Sequence, residues 1–190
     1  MNSKFFKACG VLSFLFFSAS GLAALIQNDR PSQASDIKLD HRFGAGLMVA
    51  GGAGIMGLAL DVNLNPFFST SAYLGTGYEF NSVGVKAQYY ILGASVHPFI
   101  GAGYAHWFAS PGILNLDKIN PSLIYGSLLN DDQKARAFKE GFALHLIYPT
   151  FGIQFVHESQ FSLSAELMYL FDISDFSGNP YFGVGSYYYF

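Results

Sequence analysis

The sequence is short of the residues that most chemistries require. Its single cysteine, Cys9, lies in an apolar N-terminal segment, so a mature chain without that segment has no thiol for a disulfide, a metal or a nucleophilic attack. Charged residues make up 12% of the chain, about half the share of a soluble domain. The formal net charge is -3, with no basic cluster, which excludes a nucleic-acid partner. No phosphate-binding glycine loop, glycosidase carboxylate pair or nucleophile elbow occurs, so no cofactor is expected. What is abundant is aromatic and small: aromatics reach 17%, with 21 glycines, and a chain so poor in charge and rich in rings suits an apolar solvent.

One uncharged run, residues 43–60, has the length of a membrane-spanning helix. Its glycines argue against a helix, since each costs about 1 kcal/mol there relative to alanine. A hairpin uses them better. Phe43, Ala45, Leu47 and Val49 alternate with Arg42, Gly44, Gly46 and Met48; past a Gly51-Gly52 turn, Leu58, Leu60, Val62 and Leu64 alternate with Ala59, Asp61 and Asn63.

The organisation follows from similar readings. Residues 1–23 have a basic start at Lys4 and Lys7, an apolar stretch and a small-residue end, the pattern of a cleaved signal peptide. The order of Lys7, Cys9 and the apolar run is wrong for lipidation. Residues 24–40 are a polar, Pro31-containing lead-in without clear periodicity, and residues 41–190 form one domain. Within it, period-two alternation marks further strands around residues 71–80, 83–91 and 97–107, with turns at Asn65-Pro66, Asn81-Ser82 and residues 92–95. Residues 109–140 break the pattern and form one long loop, with capping signals for a short helix over residues 131–140. In the sixth strand, Phe142, Leu144, Leu146 and Tyr148 point outward, but beyond Pro149 the apolar set becomes Phe151, Ile153 and Phe155, which predicts a β-bulge at residues 148–150. After a turn at residues 157–160 comes a seventh strand, residues 161–172. The eighth, residues 180–190, reads PYFGVGSYYYF and is apolar or aromatic on both faces, which suits a strand that closes a barrel.

Gly185, Tyr188 and Phe190 resemble the C-terminal assembly signal of bacterial outer-membrane barrels, and PFIGAGYAHW resembles a motif of small barrels of that kind. The whole domain resembles the small eight-stranded outer-membrane proteins of OmpA type. The resemblance implies an all-β, eight-stranded antiparallel up-and-down barrel in the outer membrane of a Gram-negative bacterium. It further implies contact with outer-membrane lipid, and handling by periplasmic chaperones and the barrel-assembly machinery. With both termini periplasmic, the connections after strands two, four and six are short, while the long loop is extracellular and open to an extracellular ligand.

Five charged residues, Arg42, Asp61, Glu79, Lys86 and Glu166, fall on the face that carries most strand glycines, which predicts a narrow polar interior with Arg42 paired to Asp61 and Glu79 near Lys86. Tyr73, Tyr78, Tyr89, Tyr90, Trp107, Tyr169, Tyr187 and Tyr188 near strand ends are expected to form an aromatic girdle. His97, His106 and His145 are scattered and lack carboxylate company, so no metal site is expected. His157-x-Ser159 with Glu166 is similar to the set used by lipid A deacylases, yet Gln160 stands where that family has asparagine and its glutamate lies further downstream. A structural or surface-interaction barrel therefore ranks first, a narrow conduit for small or hydrophobic molecules second, and a lipid A-modifying acyl hydrolase last. The chain is not expected to be an enzyme.

Overall fold

The computed structural model describes residues 33–77, 80–91, 95–110, 140–174 and 177–190. The signal peptide, most of the lead-in, the predicted loop helix apart from Glu140, and Tyr78 and Glu79 lie outside the described residues.

Eight strands follow one another around a closed barrel: β1 (Phe43–Ala50), β2 (Met56–Asn65), β3 (Phe68–Thr76), β4 (Asn81–Tyr90), β5 (Val96–Ala109), β6 (Phe142–Val156), β7 (Phe161–Asp172) and β8 (Gly178–Tyr189). Every neighbour is antiparallel, and β8 returns to β1 through Gly44↔Tyr189 to Ala50↔Gly183, leaving no free edge. A helix, α1 (Gln33–Asp40), precedes the barrel where a lead-in without regular structure was expected.

Side chains alternate strictly between the two sides. Leu58, Leu74 and Phe182 are 66%, 65% and 62% exposed on the outer wall, with Leu47, Leu60, Val85, Ile153 and Leu163 among their neighbours. A soluble barrel would hide such residues; an apolar belt of this kind takes lipid as its solvent. The lumen is packed. Tyr73, Tyr90, Trp107 and Tyr187 point into it and are buried, so they are not girdle residues, whereas Tyr89, Tyr169 and Tyr188 are exposed outside.

Three local expectations are corrected. β6 holds one register against β5 from Val96↔Phe155 to Ala109↔Phe142, and one against β7 on both sides of Pro149, so residues 148–150 contain no bulge. Leu144, Leu146 and Tyr148 face inward, not outward, because that part of the lumen is itself apolar. The one register shift on the neighbouring ladders of β2 is at Asn63 and Asn65, beside the Asn65-Pro66 turn, where Asn65 Oδ1 accepts from Phe67 N at 2.8 Å. The turn expected at Asn81-Ser82 is not there: both residues belong to β4, where Asn81 pairs with Thr76 and Ser82 with Gly75.

Candidate functional site: the barrel lumen

The end of the barrel away from α1 is closed by the first hairpin. Its tip, Gly51–Ala53, is a single 3-10 turn folded inward and fully buried. Positive φ at Ala50 (63°), Gly51 (69°) and Gly54 (88°) makes the inward fold, and for Ala50 that conformation is strained. The tip is then fastened from the wall: Trp107 Nε1 donates to Gly52 O at 2.7 Å and Ser82 Oγ to Ala53 O at 2.8 Å. Phe80 covers Trp107, with ring centroids 4.7 Å apart. Gly52 must be glycine, because a Cβ would run into the Tyr73 hydroxyl.

Below the tip, Tyr73 and Tyr148 meet hydroxyl to hydroxyl at 2.9 Å. Each ring lies across a glycine of the adjoining strand: a Cβ on Gly84 would overlap Tyr73, and one on Gly103 would overlap Tyr148. The inner-face glycines are thus the beds on which large rings lie. Beside them, Lys86 Nζ of β4 donates to both carboxylate oxygens of Glu166 of β7 at 3.0 Å, and Thr150 Oγ1 donates to Glu166 Oε2 at 3.0 Å. This ion pair spans the lumen and is almost completely buried, so each charge depends on the other.

The end carrying α1 is more polar. Tyr189 Oη donates to Asp61 Oδ2 at 3.1 Å and accepts from Gln154 Nε2 at 3.0 Å, which also reaches Ser162 Oγ at 3.2 Å. Into this network α1 inserts Lys38, fully buried, with Nζ 3.0 Å from the centre of the Tyr90 ring. Burial pushes the Lys38 amine down to about 7, and the Asp61 carboxylate works against that shift.

The predicted interior charges divide. Asp61, Lys86 and Glu166 are buried in the lumen. Arg42 is not: it is exposed just before β1, where its Nε reaches Leu39 O at 3.5 Å, and Asp61 sits instead beside Lys38 and Tyr189. Arg42 precedes the strand, so alternation does not fix its direction. Lys86 takes Glu166 as its partner. Gly185 faces inward against Tyr187 and Ser164, while Tyr188 and Phe190 face outward.

Of the hydrolase-like residues, His157 and Ser159 are brought together but Glu166 is not. His157 Nδ1 and Ser159 Oγ are 2.9 Å apart, but both are exposed in the β6–β7 turn, and Ser159 N also donates to His157 Nδ1. Glu166 is inside the barrel, committed to Lys86 and Thr150. His97 is buried in the lumen, whereas His106 and His145 are neighbours on the outer wall. Sequence reasoning placed the Gly51-Gly52 turn but missed its inward fold, and it missed Lys38 and Thr150. Trp107, which fastens the tip, is 55 residues away in sequence, and a lysine in a polar lead-in gave no signal.

A closed eight-stranded barrel with a lipid-facing outer wall and a packed, ion-paired interior defines a class, the small outer-membrane β-barrels. One solved structure shares the fold. The N-terminal β-barrel domain of Pseudomonas aeruginosa OprF aligns with a TM-score of 0.57 at 15% identity, over 79% of this chain and 98% of that one. The outer membrane protein Ail of Yersinia pestis in a phospholipid nanodisc aligns at 0.42 and 13% identity, over 79% and 99%. The outer membrane enzyme PagL aligns at 0.39 and 13% identity, over 77% and 97%. No family model and no curated protein matches the sequence. Fold and apolar belt together give an outer-membrane location.

Proposed function

We propose that this chain is a structural or surface-interaction barrel of the outer membrane, with a closed interior and any binding carried by the long β5–β6 connection. The observation that carries the reading is the stacking of three closures along one lumen: the Gly51–Ala53 tip, the Lys86–Glu166 pair and the inserted Lys38. Such packing leaves the interior a filled core. With the α1 end in the periplasm, the β5–β6 connection faces outward, and loops held by a rigid scaffold are where binding resides. That connection is rich in apolar residues, Ile113, Leu114, Leu116, Leu123, Ile124, Leu128 and Leu129 among them, more than a solvated tether needs. Outer-membrane lipid surrounds the belt, and Gly185, Tyr188 and Phe190 serve recognition by the assembly machinery. Acyl hydrolysis is disfavoured, since Glu166 is tied up in the lumen, away from the exposed His157-Ser159 turn.

The test is to replace residues 111–139 by a short Gly/Ser turn and measure barrel folding, surface binding and small-molecule uptake together. The reading expects a folded barrel that loses surface binding. Gained permeability would instead make the loop a lid over a conduit, and an unchanged protein would place function elsewhere.

A further inference from the structure

Of the five histidines, His41 precedes β1, His97 is inside the barrel and His157 is in the β6–β7 turn; the other two are side by side on the outer wall. His106 of β5 and His145 of β6 are direct partners in the ladder, with ring centroids 4.5 Å apart. The backbone bonds explain the closeness. Ile173 N donates to His145 O, so His145 turns its peptide groups towards β7; Ile91 N donates to Pro98 O, so the even residues of β5, His106 included, turn theirs towards β4. The two histidines therefore form a non-hydrogen-bonded pair, the arrangement in which side chains on antiparallel strands come closest. Tyr104 Oη lies 2.7 Å from His145 Nδ1, and the Phe108 ring stacks on His106 at 5.4 Å. A polar cluster like this is costly on an apolar wall unless it has a purpose.

We infer that His106 and His145 form a two-histidine site for a divalent first-row transition ion, of the class of Zn2+ or Cu2+, on the outer rim of the barrel. Neutral imidazole is the ligand such ions prefer, and two nitrogens from facing rings supply a chelate whose remaining positions stay open to water or a lipid oxygen. Tyr104 is a positioning residue: with the Nδ1 proton of His145 given to the Tyr104 oxygen, the Nε2 lone pair is left for the metal. The site has a structural consequence. His106 lies three residues before the end of β5 and His145 three after the start of β6, so a bound ion would clip together the two strands that carry the longest connection.

Copper is the probe of choice, because it binds tightest in the divalent series and reports its nitrogen ligands by electron paramagnetic resonance. The full chain, folded in detergent micelles and verified by heat-modifiable migration, is titrated with Cu2+. We expect a stoichiometric site with hyperfine coupling to two imidazoles, lost in His106→Ala and in His145→Ala and kept in His157→Ala. Tyr104→Phe should weaken it by about 10-fold, the lower end of the effect of an orienting partner. A spectrum that survives both cross-strand variants overturns the inference. So does a folded wild-type barrel that binds no Cu2+, or a signal that disappears in His157→Ala, which would move the site to the exposed turn.

Discussion

Lys86 Nζ stands 3.0 Å from each carboxylate oxygen of Glu166, joining β4 to β7 across the lumen. Because neither charge has water to fall back on, loss of one partner strands the other. Lys86→Met and Glu166→Leu should each destabilise the barrel by about 3–5 kcal/mol, and the double variant should cost much less than their sum. Urea unfolding in lipid vesicles measures all three; additive costs would mean the pair is not coupled.

The ring-on-glycine packing makes a second prediction. Gly84→Ala pushes a methyl into the Tyr73 ring and should cost about 1–3 kcal/mol. Combining it with Tyr73→Ala should cost less than the two singles added together. Equal costs in the two backgrounds would show that Tyr73 does not rest on Gly84.

Trp107 is the only tryptophan and holds the hairpin tip, which makes it a built-in reporter. Its emission should be blue-shifted and shielded from iodide in the wild type. Cutting residues 51–53 back to a minimal turn should expose it. Trp107→Phe should cost about 1–3 kcal/mol, since the buried Gly52 carbonyl loses its donor.

Docking of α1 should depend on pH through Lys38. Burial lowers this amine from an ordinary 10.5 to about 7, so between those values the undocked lysine holds a proton that the docked one has given up. Docking therefore strengthens as pH rises through that window, and the gain is lost progressively as pH falls back from 10.5 to about 7. A spin label at exposed position 36 should become less mobile from pH 7 to 10. Lys38→Met should flatten the profile; an unchanged profile would assign it to Asp61 or another group.

Much of the barrel was legible because alternation is a local signal: the eight strands, their order and the outward Leu, Val and Ile stripes all follow from period two. Trouble arose where the lumen is itself apolar. Leu144, Leu146 and Tyr148 look like lipid-facing residues, and only the closure of the barrel over Trp107 and the Gly51–Ala53 tip shows why they point in. Pair assignments failed for a different reason. Arg42 and Asp61 are near in sequence pattern, but Lys86 and Glu166 are 80 residues apart and meet only because a closed barrel brings β4 and β7 across one lumen. The His106·His145 pair is also set by tertiary structure, through the register of β5 on β6, and is invisible to spacing.

The central claim is a closed interior, and ion flow tests it most directly. The full-length wild-type protein, folded and inserted in a planar lipid bilayer, should show no steady large-conductance openings, while a variant lacking the hairpin tip and carrying Lys38→Ala and Lys86→Met should conduct more than the wild type. Steady large openings from the wild type would contradict the account and make the barrel a channel.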